Sequence, residues 1–257
     1  MMYSQNTLLR LNILSFTTCL LLCLGACKKS DAGETGSAKG YATGKITNAD
    51  GAPIQGARVV ANNSMIFDGS PSAVTDANGI YKIKLPAVGT FHTSAQITKS
   101  FNGQVYILEL TPDSYDEFSI EGANRNFVWK LTGQRETASM GYYGATLAMN
   151  SDLYSLIEDY SKVTWTLVPQ GKLIDGSQGA TLTLKCGAPM TSDYAVLRDI
   201  PLGRYKVSAV YKENNLTRPL RIGYLDTPSS AWTPEFIMDF QPTLPGYAES
   251  QMVFTEN

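Results

Sequence analysis

From residue 40 onward the apolar residues recur at every second position, and turn residues interrupt them at short intervals. ARVVANN (57–63), GIYKIKLP (79–86), GQVYILEL (103–110) and NFVWKL (126–131) alternate or run apolar. A period of two sends successive side chains to opposite faces of an extended strand, and β-branched and aromatic residues suit such a pleated, half-buried surface. NADG (48–51), DANG (76–79), LPAVG (85–89) and FNG (101–103) separate the runs with turn chemistry. Short strands broken this often predict a β-sandwich. The second half continues in the same style with KVTWTLVP (162–169), ATLTLKC (180–186), YAVLRDIP (194–201), RYKVSAVY (204–211), RPLRIGYL (218–225) and EFIMDF (235–240). One stretch departs from it. SDLYSLIEDYSK (151–162) predicts a short helix capped by Ser151, with Leu153, Leu156, Ile157 and Tyr160 on one face and Glu158 and Asp159 solvated.

The two halves share a local match. LPAVGTFHTSA (85–95) is similar to IPLGRYKVSA (200–209): apolar-Pro, a spacer, then Gly-x-aromatic-x-x-Ser-Ala. Gly89 and Gly203 stand about one sandwich domain apart. The expectation is an all-β chain of two tandem β-sandwich modules. The first spans residues 40–133, the second 140–257, and the polar TGQRETAS stretch lies at the division.

Ahead of the modules lies an address. Arg10 is the only charge in the first 26 residues, and the apolar run from Leu11 to Gly25 is short and interrupted by Asn12, Thr17 and Thr18. That suits a signal h-region better than a span, which needs about 20 apolar residues. The run ends in Leu24-Gly25-Ala26-Cys27, which resembles a bacterial lipobox. The resemblance implies a signal peptide over 1–26 and a Cys27 that carries lipid, with anchoring in the outer membrane through two or three acyl chains. Residues 27–39 then form the lipidated Cys and a polar flexible tether, a layout similar to lipoproteins of Bacteroidota. Cys19 and Cys23 leave with the signal, so Cys186 is the one thiol left free, placed at the end of an apolar run where a buried, inert group is expected.

The first module carries a fuller pattern: Gly44-Lys45-Ile46-Thr47, Gly51-Ala52-Pro53-Ile54-Gln55-Gly56-Ala57-Arg58-Val59, Thr75-Asp76-Ala77-Asn78-Gly79-Ile80-Tyr81-Lys82-Ile83, then Pro86 and Gly89. It resembles the carboxypeptidase regulatory-like domain, a transthyretin-like (prealbumin-like) sandwich, over about residues 40–131. The resemblance implies a module without catalytic residues. The residues themselves agree with its turns. Gly51 and Gly56 sit where a reversing chain needs positive φ, Asp76 can bond forward in an Asx turn, and Asn78-Gly79 favours a hairpin. The second module lacks the Thr-Asp-x-x-Gly-x-Tyr stretch.

Composition removes several chemistries. The chain has one histidine, so three-His zinc sites and H-E-x-x-H helices are excluded, and a Ser-His-Asp triad would need His92. No G-x-S-x-G elbow occurs. A formal net charge of −2 offers no basic surface for nucleic acid. Asp68, Asp76 and Asn78 lack the terminal Glu of a calcium loop, so no metal and no cofactor is expected. Two sandwiches use up the chain, leaving no room for a catalytic domain. Aromatics are the remaining binding candidates. Trp129 and Trp165 lie within apolar strands and read as core. Trp232, in the Pro/Ser-rich TPSSAWTPEF, and Tyr142-Tyr143, in GYYG, read as exposed ligand-binding residues. The expected function is a non-enzymatic, lipid-anchored envelope protein that binds a polysaccharide or other surface polymer. A scaffold docking an outer-membrane transporter or secretion protein is the alternative, and a hydrolase the third.

Overall fold

The computed structural model describes residues 38–65, 69–136 and 138–257. The expected signal peptide, Cys27, the tether up to residue 37, and Asp68 lie outside the described residues. Among the described residues there is no α-helix, and the three helical turns are short 3-10 turns at Ala138–Met140, Tyr160–Lys162 and Ser229–Ala231.

Nine strands form the first sandwich: β1 (Tyr41–Asn48), β2 (Arg58–Asn63), β3 (Ser72–Val74), β4 (Ile80–Lys84), β5 (Phe91–Phe101), β6 (Gln104–Glu109), β7 (Thr111–Pro112), β8 (Ala123–Asn124) and β9 (Phe127–Trp129). One sheet has the order β4-β1-β9-β7, with β8 also on β1, and the other the order β3-β2-β5-β6. Ten strands form the second: β10 (Ala145–Ser151), β11 (Val163–Pro169), β12 (Leu182–Leu184), β13 (Val196–Ile200), β14 (Tyr205–Glu213), β15 (Leu216–Pro219), β16 (Arg221–Tyr224), β17 (Glu235–Met238), β18 (Gln241–Pro242) and β19 (Ala248–Thr255). Their sheets run β13-β10-β19-β16 and β12-β11-β14-β15, with β18 added on β19 and β17 on β14.

Along the four-strand paths the two orders match. In each module the first strand pairs parallel with the last, β1 with β9 and β10 with β19, and antiparallel with β4 or β13; β8 adds a second, short parallel pairing on β1. The matched Pro-Gly turns lead into equivalent central strands, β5 and β14. Phe91 and Tyr205 open those strands fully buried, and Ala95 and Ala209 face Val59 and Trp165 across the ladder. The second module therefore repeats the main strand order of the first, despite lacking its turn motif.

Alternation places the cores. Ala42 and Ile46 of β1, Tyr81 and Ile83 of β4, and Phe127 and Trp129 of β9 point inward, as do Leu147, Met149, Trp165, Leu167 and Phe254 in the second module. Each large apolar side chain so buried contributes about 1.5–3 kcal/mol relative to exposure. Trp129 and Trp165 are core, as their strands predicted. Asp76 caps its turn as expected, its Oδ1 accepting from the N–H groups of Asn78 and Ile80, both at 2.9 Å. Gly79 has φ +73°, and a Cβ there would lie 2.4 Å from the Ile46 carbonyl, so the turn needs glycine on both counts.

The expected helix over 151–162 does not form. Ser151 ends β10, its N–H bonding Tyr160 Oη at 3.0 Å rather than capping a helix. Glu256 captures the loop instead, accepting from Leu156 N–H and Ser155 Oγ, both at 2.6 Å. Ile157 is buried, whereas Leu153 and Leu156 stay 87% and 85% exposed. A contact a hundred residues away outweighs the weak propensity of one amphipathic turn.

The modules are tied together. Tyr106 of β6 donates its hydroxyl to the Phe240 carbonyl at 2.6 Å, and Asn102 Nδ2 bonds Asp239, which also holds Arg204. Asp199, at φ +60°, accepts from Gly133 N–H and Gly144 N–H and so fixes both ends of the connecting hairpin.

Candidate functional site

The connection between the modules is the hairpin 133–143. Tyr143 N–H bonds the Gly133 carbonyl and Arg135 N–H the Gly141 carbonyl, both at 2.9 Å, and Gly141 takes the positive φ of the turn. A two-stranded pairing sends consecutive residues to opposite sides. Tyr142 and Tyr143 are therefore separated. Tyr142 faces a cavity of about 400 Å³ that also touches Leu184, Cys186 and Asp199. Cys186 is buried there, and burial pushes its thiol pKa up, which keeps it protonated.

Tyr143 faces a cleft of about 240 Å³ between the hairpin and the first module. Its floor is the outward face of β5, with His92 and Ser94 exposed and Phe91 turned into the core, as alternation requires. Tyr115 forms the opposite wall, its hydroxyl 3.2 Å from that of Tyr143. Met140 closes the rim, 43% exposed. Burial, then the hydroxyl and charge of Tyr143 and the charge of Glu136, hold the Tyr115 phenol well above its ordinary pKa, so it remains a donor.

Behind the cleft lies Arg135, the one buried charged side chain among the described residues. Its guanidinium is held between two rings, 4.8 Å from the Tyr143 centroid and 4.5 Å from that of Tyr247. Nη1 pairs with Glu109, Nη2 donates to the Gly246 carbonyl, and Nε donates to the Tyr142 carbonyl at 3.0 Å. All three nitrogens are used, and the partners come from the first module, the hairpin and the second module. Stacked between the rings, the group orients Tyr143.

Trp232 does not fit its expected role. It is 6% exposed, not solvent-facing. The TPSSAWTPEF segment folds back over β16, with Ile222 bridging Thr233, and the indole packs where Gly223 has no side chain: a Cβ there would lie 2.2 Å from the ring. The indole N–H donates to the Thr227 carbonyl at 3.1 Å. Glycine in an apolar strand was the available signal for such a socket. Tyr115 and Arg135 carried no signal of their own, since each lies in a polar stretch that reads as turn or linker.

His92 makes no side-chain hydrogen bond among the described residues, so nothing there orients its ring. The cleft presents two phenols, a thioether, an imidazole and a serine hydroxyl. That set can stack on a flat apolar face and exchange hydrogen bonds with hydroxyls.

No protein-family model matches the chain, and no curated protein matches it. Among solved structures it is similar to the Bacillus anthracis TIE protein (10% identity over 84% of this chain and 34% of that one, TM-score 0.35). It is also similar to a putative adhesin from Bacteroides ovatus ATCC 8483 (12% identity, 70% of this chain and 81% of that one, TM-score 0.26). A single B repeat unit of the collagen-binding surface protein of Staphylococcus aureus is a third (11% identity, 84% and 98%, TM-score 0.25). The chain spans about a third of the length of the TIE protein. Likenesses at this level carry no function across.

Proposed function

We propose that the protein is a non-catalytic envelope module, anchored through lipid on Cys27, that binds a glycan or other surface polymer in the Tyr115–Tyr143 cleft. The observation that carries this is the pair of phenols, joined through their hydroxyls in one cleft with His92 and Ser94, Arg135 being stacked on the Tyr143 ring. An aromatic platform with hydrogen-bonding groups below it suits a sugar ring, which offers a C–H face and hydroxyls. The lipid anchor and outer-membrane address rest on Leu24-Gly25-Ala26-Cys27, and the resemblance to the carboxypeptidase regulatory-like domain rests on the turn motifs of the first module. The division between domains is proposed at 133–140, within the hairpin.

The chain from residue 28 onward, run through affinity gels containing a panel of polysaccharides, tests this. One polymer should retard it, and Tyr143→Ala or Tyr115→Ala should relieve the retardation, costing about 1 kcal/mol of binding each. Trp232→Ala is not a usable probe, because the indole is packed against β16. Migration unaffected by every polymer would remove the glycan reading. Docking to another envelope protein would then lead, favoured by Leu153, Tyr154 and Leu156, three apolar side chains more than three-quarters exposed on a loop pinned by Glu256.

A further inference from the structure

Strand β19 lacks a neighbour on one side for two residues. β16 pairs with Met252–Thr255 and β18 with Ala248–Glu249, so Ser250 and Gln251 lie opposite a gap between those two edge strands. The gap opens into a cavity of about 510 Å³. Tyr224, Leu225 and Asp226 line it from the end of β16, Gln241 from β18, and Glu249, Ser250 and Gln251 from β19.

The cavity gathers several polar side chains that bond nothing among the described residues. Here the side chains of Asp226, Gln241, Glu249 and Gln251 make no hydrogen bond or ion pair among the described residues. Ser250 is 5% exposed, and its hydroxyl, like those of Thr43, Thr93, Thr111 and Thr164, has no partner among the described residues. An unpaired buried hydroxyl is costly, so a native structure that keeps one calls for a reason. The wall is rigid. Trp232 holds Thr227, whose hydroxyl bonds the Tyr224 carbonyl at 2.7 Å, and the Tyr224 ring is set against Phe236 at 4.8 Å. Buried Trp232 thus buttresses a cavity it does not enter.

We propose that this cavity is a binding site for a neutral saccharide. No cation lines it, so two carboxylates would repel an anionic ligand. An ammonium ligand can only donate, so it could engage the carboxylates and amide oxygens but not the amide N–H groups of the two glutamines. A sugar hydroxyl donates and accepts, which answers amide and carboxylate together. Exposed Leu225 and the Tyr224 ring offer an apolar surface to the C–H groups. The volume falls within the roughly 300–1,000 Å³ of small-ligand sites. The site shares no residue with the Tyr115–Tyr143 cleft.

The full-length chain in detergent micelles is titrated calorimetrically with cellotetraose, maltotetraose, mannotetraose and xylotetraose, and with trigalacturonate and tetralysine as anionic and cationic controls. One neutral tetrasaccharide should bind, and backbone amide shifts should cluster at 224–226 and 249–251. Gln241→Ala and Gln251→Ala should each weaken binding about ten-fold, with Tyr143→Ala leaving it unchanged. Both glutamines are outside the core, and melting curves check that the variants fold. Ser250→Ala should raise the melting temperature of the free protein, since it removes an unpaired buried hydroxyl. The proposal is overturned if none of the four tetrasaccharides binds, if tetralysine or trigalacturonate binds instead, or if the glutamine variants bind as tightly as the parent. Shifts confined to the surroundings of Tyr115 and Tyr143 would overturn it too, while supporting the cleft.

Discussion

Arg135 shows how much a single residue can carry unseen. In the sequence it is one charge in the polar TGQRETAS stretch, and such stretches are usually solvated. In the fold its side chain is 4% exposed and answers a carboxylate, two carbonyls and two rings. Replacing it by alanine leaves the Gly246 carbonyl and Glu109 without their partner. Arg135→Ala should therefore destabilise the protein by about 2–4 kcal/mol, read from urea unfolding. Glu109 can regain water because it is 40% exposed, which keeps the loss below that of a fully buried pair. A midpoint within error of the parent would show that the guanidinium is only an ornament of the joint. Asp76 and Gly79 are the opposite case. Their chemistry is local, an Asx bond and a positive φ, so both were legible in the sequence.

Among elements, every run marked by alternation became strand, while β1, β5, β10 and β19 carried no such mark. β19 is the central case, since it lies parallel to β10 and is set there by pairing with residues a hundred positions away. The segment 151–162 failed in the reverse direction. It has an amphipathic face, but Glu256 and the β19 backbone hold it as a loop. Burial raises the Glu256 pKa, yet hydrogen bonds from Ser155 and Leu156 outweigh it and hold the carboxyl below its ordinary 4.5. A depressed folded pKa contributes stability that is present above pH 4.5 and lost as the pH falls through the folded value. Amide exchange at Leu156 should accelerate, relative to the core strands, as the pH drops below that range. Glu256→Gln should abolish the pH dependence. A Leu156 amide with the same relative protection at low and neutral pH would show that the carboxylate does not pin the loop.

At the scale of the molecule, the modules share their joint. Tyr106 sits in the first and bonds the Phe240 carbonyl of the second. Burial, then the charge of Asp239, pushes its phenol pKa from 10.0 up to about 12. A raised folded pKa means that the contribution is whole below pH 10 and is lost as the pH rises through about 12. Tyr106→Phe should cost about 1–2 kcal/mol at neutral pH, since it leaves the Phe240 carbonyl unpaired. It should also flatten part of the alkaline loss of stability between those values. Urea unfolding of the parent should be one transition, coincident by tryptophan fluorescence and by circular dichroism. Two separated transitions would show that the modules unfold independently.

Local pattern sufficed for the fold class, for the alternating strands of both modules, for the turns around Asp76 and Gly79, and for the burial of Trp129 and Trp165. Those follow from alternation and from backbone chemistry acting within a few residues. The sequence also singled out Tyr143 as a binding residue, and His92 only as the one histidine a triad could use; both line one cleft. Long-range packing, by contrast, turns Tyr142 away from Tyr143, makes Trp232 a buttress, sets Arg135 as the pin of the joint, and leaves β19 open between β16 and β18. Each of these depends on which distant strands become neighbours, a choice made by packing and long-range pairing that no local pattern records.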